Sequence, residues 1–500
     1  MTENIWGDIV TARNLIEILN DTVQKYSDRT ALIIDKQYIT YGQLNRAVNA
    51  VAGLVKKAGV GKGDKVAVML PNIPEFVYSY FGVIKNGAVA VTLNTSSTPW
   101  ELTHLLNNSE SKLLITQASQ VKKFQEARSE LLSCHQVIAI DELNQNQGLF
   151  TETDFPEVSE EISPEDPAVM VYTAGLTGRP LGAVLTHRNL CSQAEVVQAT
   201  VQRNPGDVIL ALIPLFHTFG ASTNMLLAIR SGCSMFMMDR LKMDSLFSAI
   251  EREKISYIAA VPRLYMGMIF HEKASKYDVS SLEVCITGGA PMPPDFLPVF
   301  EEKFGVKAIE GYGLTEASPV CTFNMLDKDP KIGSIGIAIS GVEIKIVDQR
   351  DNELPRNQIG ELVVRGENVM QGYYKNEKAT AAVIKNGWLH TGDLGRMDED
   401  GYVFLTGLKK RMVISSGFNV YPREVEAVLN MHPAVKDSRA SGTEDLMRGE
   451  VVKAQVILKE GHSADEKEII RFCKTYLSNY KVPREVEFVQ ELPELNETEI

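Results

Sequence analysis

An α/β multidomain fold follows from three features of the sequence. The chain has 500 residues, too many for one hydrophobic core and enough for about two to four domains. Through about residue 330, short apolar runs of strand length alternate with helical stretches, the pattern of a parallel sheet with helices on its faces. Beyond that point the texture changes twice, first to short strands and then to mixed strand and helix. The expected architecture is a large N-terminal domain of α/β subdomains (residues 1–407) with a β-rich subdomain at about 331–406. A small C-terminal α+β domain (residues 408–500) completes it.

The elements follow in order. Leu44, Val48, Val51 and Val55 recur at helical spacing between Gln43 and Lys57, and the strand-like Val66 to Leu70 follows a Gly-Lys-Gly-Asp turn. After another helix come strand-like runs at Ala88 to Leu93, Leu113 to Thr116 and Gln136 to Ile140. The alternation resumes at Val208 to Pro214, Tyr257 to Val261 and Glu283 to Thr287. Val342 to Val347 and Glu361 to Val364, bounded by Gly, Asp and Asn, mark the β-rich segment. Past Gly407, Val452, Ala454, Val456 and Leu458 alternate with polar residues as in a half-buried strand. Ser463 and Glu466 are spaced as a capping box opening a helix.

Composition narrows the function classes. With 44% hydrophobic and 23% charged residues, the chain is a folded protein rather than a disordered or fibrous one. A net charge of −13 argues against a broad nucleic-acid surface, which needs clustered Lys and Arg. Cys134, Cys191, Cys233, Cys285, Cys321 and Cys473 form no CxxC pair, so buried thiols in a reducing compartment are expected, and a cytoplasmic location with them. The N-terminus carries no basic patch followed by an apolar segment, and no run reaches the roughly 20 apolar residues of a membrane span. Peripheral membrane contact stays open.

The most informative stretch is Val171 to His187, VYTAGLTGRPLGAVLTH. An apolar strand edge leads into a turn with Gly175, Gly178 and Gly182, where missing side chains let backbone N–H groups approach an anion. It is not a Walker loop, since no Gly-Lys-Ser/Thr follows. On glycine content alone it reads as an ordinary tight connection.

The full string resembles the phosphate-loop signature of the AMP-forming acyl-CoA synthetases, the adenylate-forming superfamily. The match rests on Tyr172, Thr173, Gly175, Thr177, Gly178, Pro180, Gly182, Thr186 and His187. Ile213 to Gly220 (IPLFHTFG), Glu310 to Pro319 (EGYGLTEASP) and Trp388 to Gly395 (WLHTGDLG) follow in the family's order. The resemblance extends from Thr40-Tyr41-Gly42-Gln43-Leu44 to Ser416–Glu426, SGFNVYPREVE.

The resemblance implies ATP, Mg²⁺ and coenzyme A, a carboxylic acid as substrate, and chemistry dominated by positioning and charge neutralisation. It implies that Glu316 holds Mg²⁺, that Thr315 and Thr173 contact phosphate oxygens, and that Tyr312 stacks near adenine. Asp393 would bind the ribose hydroxyls through its two acceptor oxygens. Gly175, Thr177, Gly178, Gly288, Gly289, Ala290, Pro291, Gly311, Gly313 and Leu314 would border the nucleotide, and Ser416 and Gly417 the coenzyme. Lys410 and Arg411 fall at the hinge of a C-terminal domain that in the family rotates between two half-reactions. Taken singly, the residues also have plain readings: Asp393 as a turn residue and Glu316 as a helix cap. His217, which the resemblance places beside the acyl tunnel, also reads as a core histidine. Phe216, Phe219 and the run Met235 to Met238 suit either an acyl pocket or the core.

The chain departs from the family pattern at several places. Ala174 and Leu176 stand where the loop has hydroxyls, and Leu181 where it has lysine. Leu408 replaces the arginine that supports the nucleotide, and Arg411 the hinge acid. Ungapped alignment puts Glu499 at the lysine that bridges carboxylate and α-phosphate, where an anion repels both. Truncation after Ile500 also stays open. The expected function is ATP-dependent activation of a fatty or aromatic acid and its transfer to coenzyme A by a monomer or homodimer. The alternatives are an impaired paralogue that binds nucleotide or acyl-CoA, or one that keeps only the thioester-forming step.

Overall fold

The computed structural model describes residues 13–147, 158, 160–174, 180–328, 331–408, 412–415, 418–445 and 449–492. Among these residues the strands form four sheets. In the seven-stranded sheet the strands Val89–Thr92, Lys65–Met69, Ser111–Thr116 and the edge strand Gln136–Ala139 run parallel. Side chains of successive strand residues point to opposite faces, so Val66 and Val68 enter the main core while Ala67 and Met69 enter a smaller one with Leu102, Leu106 and Phe124.

The nine-stranded sheet has a parallel centre built of Ser234–Met237, Val208–Ala211, Ile255–Ala260, Val284–Thr287 and Lys307–Gly313. Its inner face contributes Ile209, Met235, Tyr257 and Ile286 to the same main core. Helices Leu15–Tyr26, Tyr41–Lys57, Pro74–Lys85 and His187–Val201, with the Ala221 to Ile229 segment, add many side chains to that core, so helices between the two sheets cement them. Met235 and Met237 are 1% and 3% exposed and belong to this core, whereas Phe236 belongs to a second core against which the half-buried Met238 packs.

The β-rich region is a sheet of Val342–Val347, Gly360–Gly366, Trp388–Met397 and Ile384–Lys385, with Val403–Leu408 on the far edge of Trp388–Met397. The C-terminal sheet joins Phe418–Val420, Val413–Ser415, Gly449–Leu458, Val435–Asp445 and Glu485–Phe488. Helices Pro422–Leu429 and Glu466–Tyr476 pack on it around Val425, Val428, Ile469 and Cys473.

Two local expectations are corrected. The helix after Ser463 begins one turn-step later: Asp465 is its N-cap, accepting the Glu468 N–H at 2.7 Å, and Ser463 is exposed. The strand expected from Val208 to Pro214 ends at Ala211. There the buried Asn72 amide donates to the Ala211 and Ile213 carbonyls and its oxygen accepts the Leu215 N–H, so a side chain replaces a neighbouring strand.

All six cysteines are free and buried. Among the described residues no helix is long and apolar enough to cross a membrane.

Candidate active site

In open parallel sheets the carboxyl ends of the strands form the ligand crevice. Thr173 lies near such an end, on Pro167–Ala174, directly opposite Leu181 on the antiparallel strand Pro180–Thr186. Gly182 is held by packing, because a Cβ there would lie 2.7 Å from Met170 Sδ. Gly175, Thr177 and Gly178 lie outside the described residues, as does Leu176. Leu181 is half-buried and packs against the main core. The position that resemblance gives to a cation is therefore apolar in contact as well as in kind.

From the other sheet, Lys307–Gly313 delivers the second wall. Gly311, Tyr312 and Gly313 pair with Val320–Phe323, and Leu314 N–H bonds back to the Pro319 carbonyl at 3.0 Å. A Cβ on Gly313 would come within 2.0 Å of the Pro319 oxygen, so this tight return requires glycine. Gly288 and Gly289 follow Val284–Thr287; a Cβ on Gly288 would sit 3.0 Å from the Gly311 carbonyl. The loop of Gly288, Gly289, Ala290 and Pro291 thus rests directly on the Gly311 strand. Gly289 and Pro291 are exposed and Ala290 is half-buried.

Thr315 opens a short turn, Thr315–Ala317, in which Glu316 is 8% exposed. Its carboxylate accepts the Tyr373 hydroxyl at 2.7 Å, and its carbonyl accepts the Met370 N–H at 2.8 Å. No side chain caps this turn, so the capping reading of Glu316 fails. Asp393 sits within the strand Trp388–Met397, not in a turn, and accepts a hydrogen bond from the Tyr312 hydroxyl. The backbone of Leu408 lies opposite Asp393 in the neighbouring strand.

Tyr421 ties these pieces together. It is the N-cap of the helix Pro422–Leu429, and burial, the Glu316 charge and the Asp393 charge push its hydroxyl well above the ordinary range. A hydrogen bond with Thr173 acts in the opposite sense. One side chain therefore lies within hydrogen-bonding or electrostatic reach of Thr173, Glu316 and Asp393. The Tyr373 hydroxyl is raised likewise, by burial first and then by Glu316. Neither tyrosine was singled out in the sequence; both lie in plain view, Tyr421 inside SGFNVYPREVE, but nothing local marks them.

His217 Nδ1 accepts the Phe219 N–H at 3.2 Å, which leaves Nε2 as the N–H donor. Burial lowers its pKa to about 4, so the imidazole is neutral near pH 7. Phe219 packs under the loop at Gly288 and Gly289, placing this segment against the site. Phe216 stacks on Phe418 of the C-terminal domain at 6.4 Å and 6°. Ser416 and Gly417, between Ser415 and Phe418, lie outside the described residues, as do Lys410, Arg411 and Glu499.

Glu310 is a further member that the sequence reading passed over. It is buried one residue before Gly311, accepts the Met292 N–H at 3.2 Å, and burial raises its carboxyl to about 7.

Comparison with known proteins identifies the family. The family model for the AMP-binding enzyme matches residues 19–374, and that for the AMP-binding enzyme C-terminal domain matches 424–498. The chain is 34% identical to the long-chain-fatty-acid–CoA ligase of Bacillus subtilis (strain 168), covering 96% of this chain and 92% of the relative. It is 33% identical to 4-coumarate–CoA ligase 2 of Nicotiana tabacum, covering 95% and 90%. Among solved structures, o-succinylbenzoate CoA synthetase from Bacillus subtilis superposes with a TM-score of 0.86 at 29% identity, covering 97% and 96%. Amide bond synthetase McbA from Marinactinospora thermotolerans gives 0.88 at 26% identity, covering 96% of each chain. The chain belongs to the AMP-binding enzyme family, within the adenylate-forming superfamily that its motifs resemble.

Proposed function

We propose that this protein is an AMP-forming acid–thiol ligase that activates a fatty or aromatic carboxylic acid with ATP and passes the acyl group to coenzyme A. The observation that carries the reading is the convergence of Thr173, Glu316 and Asp393 around Tyr421. In the first half-reaction a carboxylate oxygen of the acid attacks the α-phosphorus of ATP and pyrophosphate leaves. In the second, the coenzyme thiolate attacks the acyl carbonyl and AMP leaves.

Each residue has a task set by its geometry. Asp393, oriented by the Tyr312 hydroxyl, offers its remaining acceptor capacity to a ribose diol. Gly288 lets its loop backbone approach Gly311 closely, beside Tyr312, where the adenine would lie. Thr173 and Thr315 supply hydroxyl donors to phosphate oxygens. Glu316 is the residue that would hold Mg²⁺; one carboxylate suffices, because Mg²⁺ beside a nucleotide takes most of its other ligands from phosphates and water. When bound, that ion neutralises charge developing on the phosphates. Neutral His217 brings no charge to the acyl end and offers one N–H donor.

Leu181, packed against the core opposite Thr173, favours a second reading: a paralogue that binds nucleotide or acyl-CoA with weak or absent adenylation, or that keeps only thioester formation. Pyrophosphate release and acyl-CoA formation across short- and long-chain fatty acids, benzoates and cinnamates separate the two. The ligase reading expects turnover with one acid class and a loss on the order of 10² to 10³ in Glu316→Ala. Binding without turnover, or thioester formation only from supplied acyl-adenylate, selects the second. A cytoplasmic monomer or homodimer, without nucleic-acid partners, fits the composition.

A further inference from the structure

Away from the cleft, the two domains meet through a buried charge cluster. Lys481 Nζ donates to Glu101 at 2.8 Å and to Glu424 at 2.7 Å, and Ser478 donates to Glu101 at 2.6 Å. The three charged residues are 9%, 5% and 5% exposed. Glu101 belongs to the N-terminal helix Pro99–Ser109, where its carboxylate also accepts the Thr98 N–H at 2.8 Å. Lys481, Ser478 and Glu424 belong to the C-terminal domain. Nearby, Thr98 Oγ1 donates to the Tyr476 carbonyl at 2.9 Å and Trp100 meets Tyr476 edge-on at 5.8 Å. Phe418 stacks between Phe216 and Tyr480.

Such a cluster makes sense only in one docked arrangement. Undocking would leave Lys481 with Glu424 alone, both in water, and Glu101 with only its helix cap. A buried ion pair adds little net stability relative to apolar packing, but it is strongly selective, because any other arrangement strands a desolvated charge. Two carboxylates share one lysine. Burial, partly opposed by Lys481, raises the Glu424 carboxyl; Glu101, despite its own burial, is held low by Lys481.

The same docked arrangement puts Tyr421 at Thr173 and beside Glu316. On the proposed function, that is where the triphosphate rests in the first half-reaction. Tyr421 and a bound triphosphate compete for this place, so the arrangement suits the step after pyrophosphate has left. We propose that Lys481 and Glu101 form a clasp that holds the C-terminal domain in the arrangement used for acyl transfer to the thiol, which makes them positioning residues for the second half-reaction. The inference rests on the ligase reading for its timing, whereas the clasp itself rests on geometry alone.

Lys481→Met keeps the aliphatic stem but leaves Glu101 facing Glu424. Glu101→Gln can keep the Thr98 cap and the Ser478 bond on its one carbonyl oxygen, but it removes the charge and replaces the acceptor of Lys481 with an N–H donor. Two measurements on the full chain test the inference. In the first, acyl transfer from supplied acyl-adenylate to coenzyme A is expected to fall roughly tenfold or more in Lys481→Met and less in Glu101→Gln, while pyrophosphate release stays within about twofold. The double variant, which relieves the carboxylate pair, should recover part of the loss.

In the second, spin labels at Lys122→Cys and Lys467→Cys, both exposed, report the interdomain distance; the native cysteines are buried. A narrow distribution in the parent and a broadened one in both clasp variants is expected. An unchanged distribution, or equal loss in both half-reactions, overturns the clasp. Absence of thioester formation in the parent chain would instead overturn the ligase reading, and the distance measurement would still decide whether the clasp exists. Should Lys481→Met fail to fold, Glu101→Gln carries both tests.

Discussion

Three buried titratable residues make opposite demands on pH. His187, whose Nδ1 accepts the Leu15 N–H at 3.1 Å, and His217 are both lowered by burial to about 4. Each contributes stability that is present above the unfolded value of about 6.5 and fades as pH falls towards 4. Glu310 is raised by burial to about 7. Its contribution is present below about 4.5 and fades as pH rises to 7. Glu310→Gln keeps an acceptor for the Met292 N–H but removes the titration. The melting temperature of the parent relative to Glu310→Gln is therefore expected to rise steadily as pH is lowered from 7 to 4.5, a comparison in which the histidines cancel. A pH-independent difference would contradict the burial of the Glu310 carboxyl. At this scale the motif residues were legible because their side chains sit in contiguous strings. Glu310 is the first letter of one such string, but its burial against Met292 is a property of the folded loop.

Glycines decide the shape of the elements that carry the site. The return from Lys307–Gly313 to Val320–Phe323 works because Gly313 leaves room for the Pro319 carbonyl. Gly313→Ala must open that return, and overpacking against backbone is expected to cost about 2–3 kcal/mol. Gly61→Ala is the control, since its Cβ would meet only the Asp64 carboxylate at 3.7 Å. Thermal scans should show a clear fall for the first and little change for the second. Equal melting temperatures would mean that the hairpin is not as tight as drawn.

Strand positions were readable from apolar runs, since Val342–Val347 and Gly449–Leu458 lie where the alternation put them. Ends were harder. Ser463 with Glu466 and Asp465 with Glu468 have the same spacing, and what selects the second is the docking of Ile469 and Cys473 on the C-terminal sheet. The end at Ala211 depends on Asn72, distant in sequence, and no local pattern encodes it.

Across the whole molecule, two sheets share one core with helices between them, and Tyr421 of the C-terminal domain reaches Thr173 on the N-terminal side. The division into α/β, β-rich and α+β regions was visible in the changing texture of the chain. The domain interface was not. Glu101 and Lys481 are 380 positions apart, and Phe216 and Phe418 are also distant in sequence, so only the folded arrangement reveals them. The departures at Leu181 and Leu408 were visible as letters. Structure adds that Leu181 faces Thr173 across a strand pair and that the Leu408 backbone lies opposite Asp393.

The proposed ligase function requires one nucleotide site shared by Thr173, Glu316, Tyr312 and Asp393. A crystal structure with a non-hydrolysable acyl-sulfamoyl adenosine tests it most directly. The predicted result has the ribose on Asp393, the base between Tyr312 and the Gly288–Pro291 loop, and the sulfamoyl group towards Thr173 and Thr315. A ligand bound elsewhere, or a cleft that stays filled by protein side chains at saturating ligand, would contradict it.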